Sequence, residues 1–135
     1  MLAGLALAGA NLDPNLDPAR DDGLLTATEV SSLDLSACRL AVLSACQSSL
    51  GASRAGEGLQ SLRRGFHEAG ADSVVASLWK VDDVITQRLM HTFYEELWKN
   101  GRSVSDALRR ARLAIRRENE DPYYWAAFTL SGEWR

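Results

Sequence analysis

Two short apolar runs, "RLAVLSA" at residues 39–45 and "DSVVASLW" at residues 72–79, constrain the fold more than any other feature. Each is shorter than an ordinary helix and lacks the strict apolar–polar alternation of a half-exposed strand. Such runs suit strands of a sheet covered on both faces. The segments between and after them have the helical period instead: Leu59, Leu62, Phe66 and Ala69, then Ile85, Leu89, Phe93 and Leu97, then Val104, Ala107, Leu108, Ala111 and Ile115. "YYWAAFTLSG" ends the pattern with a short strand expected at about residues 125–130. Strand, helix, strand, two helices and strand predict an open α/β sheet with right-handed crossovers and helices on both faces.

Local chemistry supplies the boundaries. Residues 11–23, "NLDPNLDPARDDG", combine Asp-Pro pairs with a closing Asp-Gly and read as a surface loop. Thr26 and Glu29 have capping-box spacing, flanked by Leu25 and Val30 as a hydrophobic staple, so a brief helix should end near Ser32. "QSSLGASRAGEG", residues 47–58, reads as a loop, followed by a helix over residues 58–69 that Gly70 ends. Asp82 or Asp83 caps the next helix and Gly101 stops it, while Ser103 and Asp106 have the spacing of another capping box.

With 135 residues, 46% hydrophobic and 24% charged, the chain has the make-up of one globular domain. A formal net charge of −3 argues against nucleic acid as a partner, since phosphate-neutralising proteins advertise a basic balance. The one basic cluster, "RRARLAIRR" at residues 109–117, interleaves arginines with apolar residues and reads as a solvated helix face, the alternative being contact with nucleic acid or an acidic partner. The apolar start "MLAGLALAGAN" has no basic residue and is too short to span a bilayer, so neither targeting nor a membrane partner is expected. Cys38 and Cys46 would stand at opposite ends of one strand, beyond disulfide reach, which fits a reducing cytoplasm. No Cys/His cluster has the spacing of a metal site, so no metal and no cofactor is expected.

Cys46 stands just past the first apolar run. In open α/β sheets reactive groups collect beyond the carboxyl ends of strands, and amides of the following loop could stabilise an oxyanion there. From position alone Cys46 is either a nucleophile or a small packed residue. Phosphatase chemistry is excluded by spacing, because Arg54, the first arginine after Cys46, comes too late to close a phosphate cradle. Gly51, Gly56 and Gly58 are not a P-loop, since no Lys followed by Ser or Thr closes them.

The run "LAVLSACQSSLG", then "RAGEGLQSLRRGFHEAGADSVVASLWKVDD", then "PYYWAAFTLSG" resembles the C-terminal part of a CHAT domain, the caspase-like cysteine peptidase module often fused to tetratricopeptide repeats. That resemblance implies a caspase-like open sheet and makes Cys46, in the context Ser44-Ala45-Cys46, the catalytic nucleophile. It places "WKVDD", from Trp79 to Asp83, at a strand exit bordering the substrate groove. Trp79, Asp82 and Asp83 become candidate substrate contacts, with Glu57 on a groove loop as a fourth. Packing and helix capping are the competing roles for Trp79 and Asp82, and solvation for Glu57.

The family's proton acceptor is a His followed by Gly, on a strand before the nucleophile strand. Residues preceding "GLALAGAN" would carry it, so residues 1–135 are expected to form one partial domain without those strands and that His. His67 and His91, the only histidines, both follow Cys46 in helical patterns and read as half-buried or surface residues, the alternative for His67 being a substitute base. Two readings follow. One is the C-terminal part of a cysteine endopeptidase acting on a polypeptide substrate and inactive alone. The other is a non-catalytic interaction fragment or pseudopeptidase remnant whose open sheet edge adds a partner strand. Expected partners beyond a substrate are a tetratricopeptide-repeat region or the missing N-terminal half.

Overall fold

A computed structural model describes residues 4–8, 10, 22–44 and 55–134, with the backbone alone for 55–57. Its centre is the second apolar run, which forms β4 (Ser73–Ser77) between β3 (Leu40–Leu43) and β5 (Phe128–Gly132). β3 runs parallel to β4 with Leu40 opposite Ser73 and Leu43 opposite Ala76. β5 runs antiparallel, pairing Ser73 with Gly132 and Ser77 with Phe128. The chain passes from β3 to β4 through α2 (Ala55–Glu68), and from β4 to β5 through α3 (Asp83–Tyr94), α4 (Val104–Glu118) and α5 (Pro122–Trp125).

The sheet is covered on both faces, as its apolar runs require. Val74, Val75 and Ala76 are each 0% exposed. Val74 and Ala76 join Ala41 and Leu43 in one cluster with Leu59 and Leu62 of α2. Val30, from α1 (Ala27–Ser31), belongs to the same cluster. Val75 and Phe128 face the other way, into a cluster with Leu89, Phe93, Ala107, Leu108, Ala111 and Ile115 of α3 and α4. Full burial of a Val side chain is worth roughly 1.5–3 kcal/mol, so the strand contributing to both clusters anchors the domain.

The boundary chemistry is as expected at several points. Thr26 and Glu29 form a complete capping box, and Leu25 packs in the cluster containing Val30. Asp82, not Asp83, caps α3, accepting from the amides of Val84 (2.9 Å) and Ile85 (3.4 Å). Gly70 and Gly101 have φ of 109° and 62°, the left-handed conformation that ends a helix at glycine. At Ser103 only half a box forms: its hydroxyl accepts from the Asp106 amide, while the Asp106 carboxylate turns to Arg109.

Elsewhere the chain departs from expectation. The last strand starts later, at Phe128, because Asp121 accepts from the Tyr123 amide and Pro122 sits at the first helical position, turning residues 122–125 into α5. α2 starts earlier than expected, at Ala55, despite two glycines in its first turns. α3 gives way to five residues of π-helix, Glu95–Lys99, closed by the Asn100 amide donating to the Glu95 carbonyl at 3.2 Å. A separate antiparallel hairpin of β1 (Gly4–Ala6) and β2 (Leu24–Thr26) was not anticipated. Of the loop expected at residues 11–23, only Asp22 and Gly23 are among the described residues.

Candidate active site

Since β3 and β4 are parallel, their carboxyl ends open at one edge of the sheet. There β3 ends at Leu43, three residues before Cys46, which itself lies outside the described residues. β4 ends at Ser77, and the connection carrying Trp79 and Asp82 leaves beside it. β5, running the other way, begins at this edge with Phe128 opposite Ser77, so α5 is brought to the same place.

Trp79 is half-buried against the α3/α4 cluster. Its indole Nε1 donates to the Tyr123 carbonyl at 2.8 Å, and the two rings stack with centroids 6.3 Å apart. The Tyr123 hydroxyl in turn donates to the Lys80 carbonyl at 2.5 Å. Asp82 and Asp83 are both exposed. One carboxylate oxygen of Asp82 is engaged in capping α3, and Asp83 occupies the first turn. Glu57, expected on a loop, belongs to the first turn of α2.

Neither histidine stands at this edge. α2 runs back toward the amino ends of the strands, and His67 near its end is half-buried there. Its Nδ1 is 3.0 Å from the Ala71 carbonyl and its Nε2 3.0 Å from Ser131 Oγ. A carbonyl only accepts, so Nδ1 donates to Ala71, while the Ser131 hydroxyl sits between Nε2 and the Val74 carbonyl, to which it donates at 3.4 Å. Arg63 Nε donates to the same Ser131 oxygen at 3.3 Å. His91 lies two turns along α3, exposed beside Gln87, Arg88 and Thr92.

Tyr123 went unnoticed in the sequence, where the aromatic run concealed the Asp-Pro helix start that positions it. So did Ser77, whose Oγ is buried at the end of β4 without a hydrogen-bond partner among the described residues. A polar residue closing an otherwise apolar run was the available signal. Among the described residues no three of His, Cys, Asp and Glu converge as a metal site. No helix among them is long and apolar enough to cross a membrane. A cavity of about 600 Å³ lies at the opposite end of the sheet, walled by Leu40, Val42, Tyr94, Leu97, Trp98 and Val104, and takes no part in this edge.

Comparison with known proteins identifies the family. The family model described as "CHAT domain" matches residues 1–133. Tetratricopeptide repeat protein 28 of Mus musculus is 38% identical over 111 residues, which is 81% of this chain and 4% of that protein. Tetratricopeptide repeat protein 28 of Homo sapiens is 36% identical over 117 residues, 85% of this chain and 5% of that protein. The chain therefore spans only a few per cent of the length of these curated relatives. Matched along nearly all of its own length, the chain belongs to the CHAT domain family.

Proposed function

We propose that residues 1–135 form a partial CHAT domain, the C-terminal part of a caspase-like cysteine endopeptidase in which Cys46 attacks a peptide carbonyl. The observation carrying this reading is the parallel pairing of β3 with β4, which opens the exit toward Cys46 and the exit carrying Trp79, Asp82 and Asp83 at one edge. In the reaction the Cys46 sulfur forms a thioester as the peptide C–N bond breaks, and the departing amine takes a proton. Water then attacks the thioester and regenerates the thiol. Trp79 offers an aromatic wall to an extended polypeptide, while Asp82, Asp83 and Glu57 offer carboxylates to basic or hydroxyl groups on it.

Attack requires a group that takes the thiol proton and returns it to the leaving amine. A free Cys has a pKa of about 8.5 and is only a few per cent thiolate at neutral pH. His67 is engaged at the other end of the sheet and His91 points from the outer side of α3. The acceptor in this reading is a histidine on another polypeptide segment, and without it hydrolysis slows by roughly two to four orders of magnitude. Attachment to a tetratricopeptide-repeat region is supported by the names of the relatives. The test is the pH dependence of Cys46 alkylation by iodoacetamide, with Cys46→Ala as blank. An apparent pKa well below that of a free thiol supports a preformed nucleophile; no reaction before denaturation defeats it.

A second reading, a non-catalytic interaction fragment, is favoured by β3 itself. Among the described residues it pairs only with β4, leaving its other edge open to strand addition by a partner. Retained partner binding by Cys46→Ala, with no alkylation of the native chain, is the result that selects it.

A further inference from the structure

α4 carries Arg109, Arg110, Arg112, Arg116 and Arg117, and the structure divides them. Arg109 lies 3.4 Å from Asp106, and Arg110 lies 3.7 Å from Glu96. Glu118 at the end of the helix is taken by Arg88. Arg112 and Arg116 instead lie over one aromatic ring, their guanidinium carbons 5.7 and 5.5 Å from the centroid of Trp125. Among the described residues neither has a carboxylate within ion-pair distance. The ring is held in place, since Trp125 Nε1 donates to the Glu120 carbonyl at 3.1 Å and the side chain packs against the α3/α4 cluster. Arg109, Arg112, Leu113, Arg116 and Trp125 together line a concavity of about 250 Å³.

A guanidinium placed over an aromatic ring makes its cation–π contact without consuming N–H donors, which an acceptor can then engage. It also holds two like charges over one ring, a repulsion that an anion accepting from both would offset. Carboxylates match the guanidinium fork in a bidentate geometry, and the apolar stem of an acidic residue can rest on Leu113 and the indole edge. The concavity is small and the chain carries a formal net charge of −3, which favours a short carboxylate-bearing segment over a phosphate backbone.

We propose that the Trp125 face of α4 docks an acidic segment of a partner polypeptide, whose carboxylates bridge Arg112 and Arg116 across the indole. This surface is independent of the proposed peptidase chemistry. Its test is fluorescence anisotropy of the full chain with a labelled peptide alternating Glu and Ser, against the same peptide with Gln for Glu. The Glu peptide should bind and the Gln peptide should not. Arg112→Gln with Arg116→Gln should weaken binding by at least about tenfold, the loss of one or two charge-assisted hydrogen bonds. Arg64→Gln, which removes a charge already paired with Glu68, should leave binding unchanged. In the unaltered chain, the nitrogen–proton NMR signal of the Trp125 indole should shift on adding the Glu peptide. Equal binding of both peptides, no binding of either, or an unmoved Trp125 signal would overturn the proposal. Tighter binding of an oligonucleotide with the same arginine dependence would also overturn it, assigning the surface to nucleic acid.

Discussion

The indole of Trp79 donates to the backbone carbonyl of Tyr123 at 2.8 Å, tying the exit of β4 to the turn of helix before β5. The Tyr123 hydroxyl returns the link at Lys80. Trp79→Phe keeps most of the stacking area but leaves the Tyr123 carbonyl without this donor, so urea denaturation should show a loss of about 0.5–1.5 kcal/mol. Tyr123→Phe should cost less, because its hydroxyl is near water. The two losses should be non-additive in a double-mutant cycle, since both substitutions act on one joint. Strict additivity would mean that the connection and α5 are held independently.

Gly65 is the contact point of α1 and α2. A Cβ at this position would lie 2.6 Å from the Ala27 carbonyl oxygen, a backbone atom that cannot rotate away. Gly65→Ala raises intrinsic helix propensity and on an isolated helix would stabilise. Here the helices must separate, and the overpacking should reverse the sign to a net loss of about 1–3 kcal/mol, read as a lower urea midpoint. A higher midpoint would show that α1 yields freely.

The capping box of α1 gives a pH dependence of known sign. Hydrogen bonds from the Thr26 amide and then the Thr26 hydroxyl hold the Glu29 carboxyl below its ordinary value. A carboxylate whose folded pKa is depressed contributes stability that is fully present above the unfolded value and lost as pH falls through the folded one. Glu29→Gln retains a side chain able to reach Thr26 but cannot titrate. The stability difference between the native chain and Glu29→Gln should be flat near neutrality and shrink as the solution is acidified below the ordinary Glu range. A difference independent of pH would show that the charge contributes nothing to the cap.

What could be read from the sequence follows from how local each determinant is. β4 was legible because "SVVAS" is apolar toward both clusters, and the Thr26, Asp82 and Gly70 boundaries because each depends on neighbouring residues. The hairpin was not, since "GLA" and "LLT" are three-residue strands with no period and exist only through pairing with each other. The start of α2 is not legible, because Gly56 and Gly58 suit a loop equally well. Each costs a helix about 1 kcal/mol, which burial of Leu59 and Leu62 offsets. α5 is hidden because three successive aromatics suit a strand, while its helical signal is confined to Asp121 and Pro122. At the candidate site, the strand exits followed from pattern alone, whereas the role of Cys46 came only from resemblance. The place of His67 was hidden, because its partner Ser131 is 64 residues away.

That partner makes His67 a joint between α2 and β5, and its substitution separates a structural role from a catalytic one. Two hydrogen bonds, to the Ala71 carbonyl and Ser131 Oγ, disappear in His67→Ala, and Gly132 loses the imidazole packed against it. A stability loss of about 1–3 kcal/mol is expected, with part of it recovered in His67→Gln, whose amide can still donate to the carbonyl. Cys46 alkylation in the folded variant should keep the pH profile of the native chain, because His67 stands at the amino ends of the parallel strands while β3 ends at their carboxyl ends, at Leu43, three residues before Cys46 in the sequence. A profile displaced to higher pH in His67→Ala, and restored by no stabilising condition, would instead make this imidazole the group that activates the thiol.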